Sequence, residues 1–366
     1  MSLKLLAIGT ATPDRQITQA DAADLAASFT AAAVPSRSLA AIYRQTRIQV
    51  RGSVLLDEPG LQPYAQSFFP PATDSEPEGP TTAARMKRYA AEAGPLAILA
   101  ARRAVAQAGI STTAITHLVT CSCTGFASPG FDFEIIDALG IAGSVSRTHI
   151  GFMGCHGAFN ALRVAEAFAA AHPGSTPLTV CLELCSLHFQ YGSRGDMIVA
   201  NSIFADGAAA VVGSASGGDR PGCPGWTLRR QWSRLLPDTT DEMGWTIADH
   251  GFEIHLSASV PPTIGQHLPA IVDAALAEVG LARSDVASWA VHPGGPRVLT
   301  GVEEALGLPA DALAASRGVL AEHGNMSSGT ILFILERLLR EQADGPCLAM
   351  AFGPGLTVEL AILDRH

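Results

Sequence analysis

The sequence predicts an α/β protein whose helices cover a central sheet and whose chain uses one plan twice. Three observations carry that expectation. Beyond a turn at Ser128-Pro129-Gly130 the chain alternates strand, loop and helix, the rhythm of layered α/β proteins. A turn followed by a helix, a strand and a closing Gly-led strand occurs at Gly154-Cys155 and again at Gly324-Asn325. The chain has 366 residues, 48% hydrophobic and 16% charged, enough for a large core and for two such units.

Leu3 to Gly9 reads as a first strand, and Thr18 offers an N-cap for an alanine-rich helix to about Ala33. A second helical stretch carries Arg44, Arg47 and Arg51. Asp57 to Pro80 holds six prolines and five acidic residues and reads as a lid or surface excursion, with Tyr64, Phe68 and Phe69 docking it. A long helix fills 83 to 108, with a break expected at Gly94-Pro95, and a strand follows at His117 to Ser122. The first copy of the plan contains a helix from Ala158 to Ala171, a strand from Leu178 to Leu184 and the run Gly207 to Gly213. The second contains a helix from Ser328 to Arg340, a strand from Cys347 to Phe352 and the run Gly355 to Leu360. Gly213 to Gly225 would link the halves, giving units at 1–215 and 225–366.

Composition narrows the function. The net charge of −10 argues against nucleic acid as a general partner, because there is no cationic excess to displace counterions from phosphates. An anionic ligand must find a local cluster, and 22 of the 24 basic residues are arginine. No apolar run approaches the roughly 18 residues needed to span a bilayer, and the opening segment is a strand rather than a secretory signal, so a cytoplasmic location is expected. Seven cysteines, an odd number without a framework, fit reduced thiols. Cys121-Ser-Cys123 and Cys181-x3-Cys185 have poor zinc-ligand spacing in strand-like contexts, so no metal site is expected.

Three residues stand where chemistry is possible. Cys155, between Gly154 and Gly157 at a helix mouth, meets free N–H groups and the positive dipole end that favour a thiolate; a buried structural cysteine is the alternative. His292 follows an apolar strand and precedes a Gly/Pro turn, where open α/β sheets place ligands. Asn325 opens the second copy's helix, as Cys155 opens the first, and could be only an N-cap.

Together with their neighbours these stretches resemble the type III polyketide synthases, the chalcone synthase-like branch of the thiolase superfamily. The motifs are Gly151-Phe-Met-Gly-Cys-His-Gly157, Phe204-Ala-Asp-Gly-Ala-Ala-Ala210, Val291-His-Pro-Gly-Gly-Pro296, Gly324-Asn-Met-Ser-Ser328 and Phe352-Gly-Pro-Gly-Leu-Thr-Val358. The resemblance implies a thiolase-like fold, two duplicated halves forming a layered αβαβα core, in a homodimer. It implies that Cys155 takes an acyl-CoA starter, with His292 stabilising the thiolate, and that His292 and Asn325 hold the enolate formed when malonyl-CoA loses CO2. Phe204 would be the gate aromatic. No cofactor is implied beyond the CoA thioester substrates, and the products would be pyrones, resorcinols or phloroglucinols.

The same resemblance places Cys123, Thr124, Ser128, Cys185, His188, Trp245, Ile254, Ser327, Pro354 and Gly355 along the substrate cavity. Trp245 stands where plant enzymes have glycine, and Ile254 where they have phenylalanine, so the cavity should be reshaped. CoA phosphates would meet Arg44, Arg47 and Arg51, although Gln45 and Gln49 occupy two usually basic positions. Two competitors are a ketoacyl synthase III-like enzyme working on acyl carrier protein and a catalytically silent acyl-CoA binder. The His292-Pro-Gly-Gly and Gly324-Asn-Met-Ser-Ser patterns depart from the former, and retention of the whole cysteine, histidine, asparagine and phenylalanine set opposes the latter.

Overall fold

A computed structural model describes residues 2–29, 34–58, 65–73, 77–215 and 224–366. Tyr64, Cys223 and most of the expected linker lie outside the described residues. The chain opens with β1 (Leu3–Ala11) and β2 (Gln16–Thr18), then α1 (Gln19–Ala27), whose Asp21 N–H is capped by the Thr18 hydroxyl as the sequence indicates. Next come α2 (Ser36–Gln45) and β3 (Val50–Gly52), which pairs with β2. Only Arg44 of the three expected arginines is on that helix. Arg47 follows it with φ +60°, and Arg51 lies in β3.

Helix α3 (Thr82–Ala108) runs unbroken through Pro95, contrary to the expected break. Proline there removes only the donor to the Ala91 carbonyl, and Ala91 is exposed, whereas Ala93, Ala97, Ala100, Ala101 and Ala104 are buried. The buried stripe outweighs the local defect. Then follow β4 (His117–Ser122), α4 (Phe131–Leu139), β5 (Ser146–Gly151), α5 (Gly157–Ala171), β6 (Pro177–Leu184), α6 (Gly195–Ile203) and β7 (Asp206–Ser214). The rest is β8 (Trp226–Leu235), the hairpin β9 (Met243–Ala248) and β10 (Gly251–Leu256), α7 (Val260–Ala277), β11 (Ser288–Val291), α8 (Pro296–Leu306), α9 (Ala314–His323), α10 (Thr330–Arg340), β12 (Cys347–Gly353) and β13 (Thr357–Arg365).

The main sheet has the order β11-β12-β13-β8-β1-β7-β6-β4-β5. Outward from the β8–β1 pair both flanks repeat one pattern. The parallel pair β4–β6 and the antiparallel pairs β6–β7 and β7–β1 match β11–β12, β12–β13 and β13–β8 in sense. The duplicated thiolase-like plan is therefore visible as strand order.

Side-chain alternation assembles the layers. Val119, Cys121, Cys181, Ala209, Cys347, Ala349, Ala351 and Ala361 point into one cluster with the paired helices α5 and α10. Alternate residues Leu118, Val180, Leu182 and Val212 pack under α3, and Leu348, Met350, Leu360 and Ile362 pack with α7 and α8. The central layer is lined by small residues because two helices must fit between two sheet flanks; the outer faces carry larger ones. The excursion from Asp57 docks through Phe69, which is buried against Phe29, Phe189 and Tyr191.

Candidate active site

Both duplicated turns open toward one place. Cys155 sits two residues before α5, in a turn closed by Gly157 N–H donating to the Gly154 carbonyl at 3.0 Å. Gly154 has φ +83°, and a Cβ there would come within 2.7 Å of the Pro354 ring, so the Cys155 turn and the Pro354-Gly355 loop fit only around glycine. The Cys155 side chain is partly accessible. Burial pushes its thiol up to about 12, and hydrogen bonding with Ser327 and Asn325 pulls back against that. Burial thus works against the lowering expected from the helix mouth.

Asn325 comes from the second half and is fixed on three sides. Its N–H donates to the Ile203 carbonyl at 2.9 Å, its carbonyl accepts from Ala205 N–H at 2.9 Å, and its Oδ1 accepts from Ser327 N–H at 2.8 Å. With Oδ1 occupied, the amide must present Nδ2 as its donor. Phe204 pairs with Asn325 in a parallel bridge, so the aromatic and the amide share one backbone support.

His292 follows β11, and its N–H donates to the Met350 carbonyl at 2.8 Å. Its ring is 1% exposed, and neither nitrogen has a partner among the described residues. Burial, with a smaller push from His156 beside the nucleophile, takes its pKa down to about 3. A dry imidazole with two unused nitrogens is unusual unless a ligand visits it. A charge on Cys155 or His292 alone is penalised by burial. Moving the thiol proton to the imidazole would create both charges together.

Cys185, His188, Phe204, Trp245 and Ile254 line one cavity. Trp245 and Ile254 are cross-strand partners in the β9–β10 hairpin. The Trp245 indole donates to the Cys123 carbonyl at 3.1 Å, and its ring centroid lies 5.9 Å from His188, 6.2 Å from Phe252 and 6.3 Å from Phe204. His188 stacks on Phe252 at 4.1 Å, accepts from Phe252 N–H at Nδ1 and donates from Nε2 to the Thr124 carbonyl. These bonds fix one neutral tautomer.

Other expected lining residues, Ser327, Pro354 and Gly355 among them, are not part of this lining. Ser128 is exposed, with Phe126 and Ala127, and is not part of this lining. Cys123 and Thr124 are buried outside the lining: the Cys123 sulfur accepts from Gly154 N–H at 2.9 Å, and the Thr124 hydroxyl donates to Glu183 at 2.8 Å. Of the arginines, Arg47 borders a surface groove with Arg297 and Arg317 near the His292 loop, while Arg44 is exposed outside that lining. Arg51 does not join them. It is 8% exposed and donates to the carbonyls of Asn201 and Phe204.

Four contributors escape the sequence reading. Glu183 is buried under the site and accepts from Cys123 N–H, Thr124 and Ser328; its signal was a lone charge inside the apolar strand Leu182-Glu-Leu184. Phe252 supports the cavity wall, marked only by alternation in a short strand. Leu25 on α1 and Phe29 just after it also line the cavity, with no local signal at all.

A duplicated α/β fold with cysteine, histidine and asparagine on loops from both halves defines a thiolase-like condensing enzyme. Family models for the chalcone and stilbene synthases match residues 2–216 with the N-terminal domain and 227–365 with the C-terminal domain. The chain belongs to that family and is a type III polyketide synthase, an acyltransferase that uses CoA thioesters. It is 34% identical over 362 residues to an alpha-pyrone synthesis polyketide synthase-like protein, Pks18, of Mycobacterium tuberculosis, covering 98% of this chain and 90% of that one. It is 37% identical over 284 residues to the 3,5-dihydroxyphenylacetyl-CoA synthase of Streptomyces toyocaensis, covering 76% and 72%. Among solved structures it resembles PKS-I of the brown alga Ectocarpus siliculosus (TM-score 0.92, 31% identity, covering 100% and 98%). It also resembles the C-terminal type III domain of Steely1 from Dictyostelium (TM-score 0.88, 28% identity, covering 100% and 99%).

Proposed function

We propose that the protein loads an apolar acyl group from acyl-CoA onto Cys155, extends it with malonyl-CoA and releases a cyclised pyrone, resorcinol or phloroglucinol-type product. The observation that carries this is the convergence on the Cys155 thiol of Asn325 and Ser327, with an unpartnered, buried His292. In the loading step the Cys155 proton passes to His292 as sulfur attacks the thioester carbonyl. The C–S bond to CoA breaks, and the leaving thiolate takes the proton back. Malonyl-CoA then loses its carboxylate as CO2; the electron pair becomes an enolate whose oxygen is held by His292 and Asn325 Nδ2. The enolate carbon attacks the Cys155 thioester, and the sulfur leaves. Phe204 offers the carboxylate an apolar face, which favours its loss. No step calls on a metal or cofactor.

CoA would lie in the groove bordered by Arg47, Arg297 and Arg317, where arginine supplies forked donors for phosphate. Arg317 is already engaged by Glu303, which leaves Arg47 and Arg297 as the main candidates. The cavity wall of Leu25, Phe29, Leu55, Phe69 and Ile254 supports an apolar starter. A homodimer is supported by β5, the sheet's last strand, which pairs only with β4 among the described residues, and by exposed Phe126, Phe133, Phe152 and Met153. Free thiols among the described cysteines fit the cytoplasm.

The test is incubation with a panel of acyl-CoAs, with and without malonyl-CoA, followed by intact-mass spectrometry and product analysis. A single acyl adduct that disappears in Cys155→Ala is expected. An adduct that survives in Cys155→Ala would remove the assignment.

A further inference from the structure

The helix that delivers the gate phenylalanine ends without any of its last carbonyls left to water. Helix α6 stops at Ile203, and Phe204 leaves it in an extended conformation (φ −73°, ψ 148°). A helix end normally leaves its final carbonyls without intrahelical donors. Here each receives a specific one. Asn201 O and Phe204 O both accept from Arg51 Nη1 at 2.7 Å, Ser202 O accepts from Gln19 Nε2 at 2.7 Å, and Ile203 O accepts from Asn325 N–H at 2.9 Å. The natural donor to Asn201 O would be Ala205 N–H, four residues on, but that N–H is given to the Asn325 carbonyl. The Arg51 guanidinium thus occupies the place on the helix that Ala205 N–H leaves when it turns to the Asn325 carbonyl.

The guanidinium is built in rather than draped over. It packs over the Tyr43 ring at 5.6 Å and closes on Gly324, where a Cβ would meet its side chain at 3.0 Å. Asp206, two residues past Phe204, accepts from Val54 N–H, two residues beyond β3, at 2.8 Å. Arg51 in β3 and Val54 just after it are thus hydrogen-bonded to residues 201, 204 and 206, on either side of the Phe204–Asn325 bridge.

We propose that Arg51 is a positioning residue for decarboxylation and chain extension: by holding the carbonyls of Asn201 and Phe204 it sets where the Phe204 ring and the Asn325 amide stand. Gln19 serves the same helix end at Ser202. Cys155 stands on a separate turn, fastened to Gly154 and the Cys123 sulfur, so starter loading depends less on Arg51 than extension does. The proposal rests on the roles given above to Cys155, Phe204 and Asn325.

The experiment measures two rates on one protein: acyl loading of Cys155 by intact mass, and CO2 release with chain extension per loaded cysteine after malonyl-CoA is added. Arg51→Met should load to the wild-type level yet extend at least tenfold more slowly per loaded site. Arg51→Lys, which keeps charge and donors but not the planar fork, should show a smaller loss, and Gln19→Leu a loss in the same sense. Loading and extension falling in equal proportion in all three would mean general destabilisation and overturn the proposal, as would wild-type extension per loaded site. If Arg51→Met does not fold, Arg51→Lys and Gln19→Leu decide by the same ratio. A wild-type protein that takes no acyl group on Cys155 would overturn the underlying assignment before any variant is compared, and this proposal with it.

Discussion

The Ser328 hydroxyl donates to Glu183 Oε1 at 2.5 Å, joining the loop after Asn325 in the second half to strand β6 of the first. The other oxygen of Glu183 accepts from Cys123 N–H at 2.9 Å and Thr124 at 2.8 Å. This one carboxyl ties the surroundings of Cys155 to those of the Asn325 amide, and no cation is among these partners.

Burial raises the Glu183 pKa from the usual 4.5 to about 7, against the pull of its hydrogen bonds. Between those values the folded protein holds a proton that the unfolded chain has released, so this residue's contribution to stability falls as pH rises from about 4.5 to 7. Glu183→Gln removes the titration while keeping an acceptor for Cys123 N–H. Its stability relative to wild type should climb across that interval, by on the order of 1–3 kcal/mol between pH 4.5 and 8. Thermal unfolding of both proteins at several pH values checks this; a flat difference would show an ordinary carboxyl.

Asn325→Ala keeps the backbone bridge to residues 203 and 205 but removes the Nδ2 donor. Loading of Cys155 should persist, while CO2 release and extension should fall by roughly 100-fold or more, the usual scale for one oxyanion donor. Loss of loading alone, with decarboxylation intact, would reverse the division of labour between Asn325 and Cys155.

Trp245→Gly removes the ring at the meeting point of His188, Phe204 and Phe252 and frees the Cys123 carbonyl. The cavity should accept bulkier or longer starters or allow further extension, at a stability cost of about 3–5 kcal/mol as for other large-to-small aromatic changes. Product masses over a set of starter chain lengths measure this. An unchanged profile with an active enzyme would place the growing chain away from Trp245.

Much of the molecule is local and could be read from the chain. β4 begins and ends at His117 and Ser122, the bounds expected from the sequence, and α5 and α10 follow their glycine-marked turns. The motifs around Cys155, Phe204, His292 and Asn325 point to the family because each is a short stretch whose chemistry depends on its own neighbours. Pro95 shows where local rules stop: the residue that disfavours a helix lies in the middle of one, held by burial along the opposite face.

What the sequence alone determined was the α/β class, the twice-used plan and the family, with its candidate reacting groups, since periodicity and contiguous motifs encode these. Only the tertiary structure separated Arg51 from Arg44 and Arg47, turned Ser128 outward and brought Glu183 beneath the site. The physical reason is long-range satisfaction of buried polar groups. An arginine seven positions from another carries no local mark of facing inward; it does so because carbonyls 150 residues further along the chain end a helix there and need a donor.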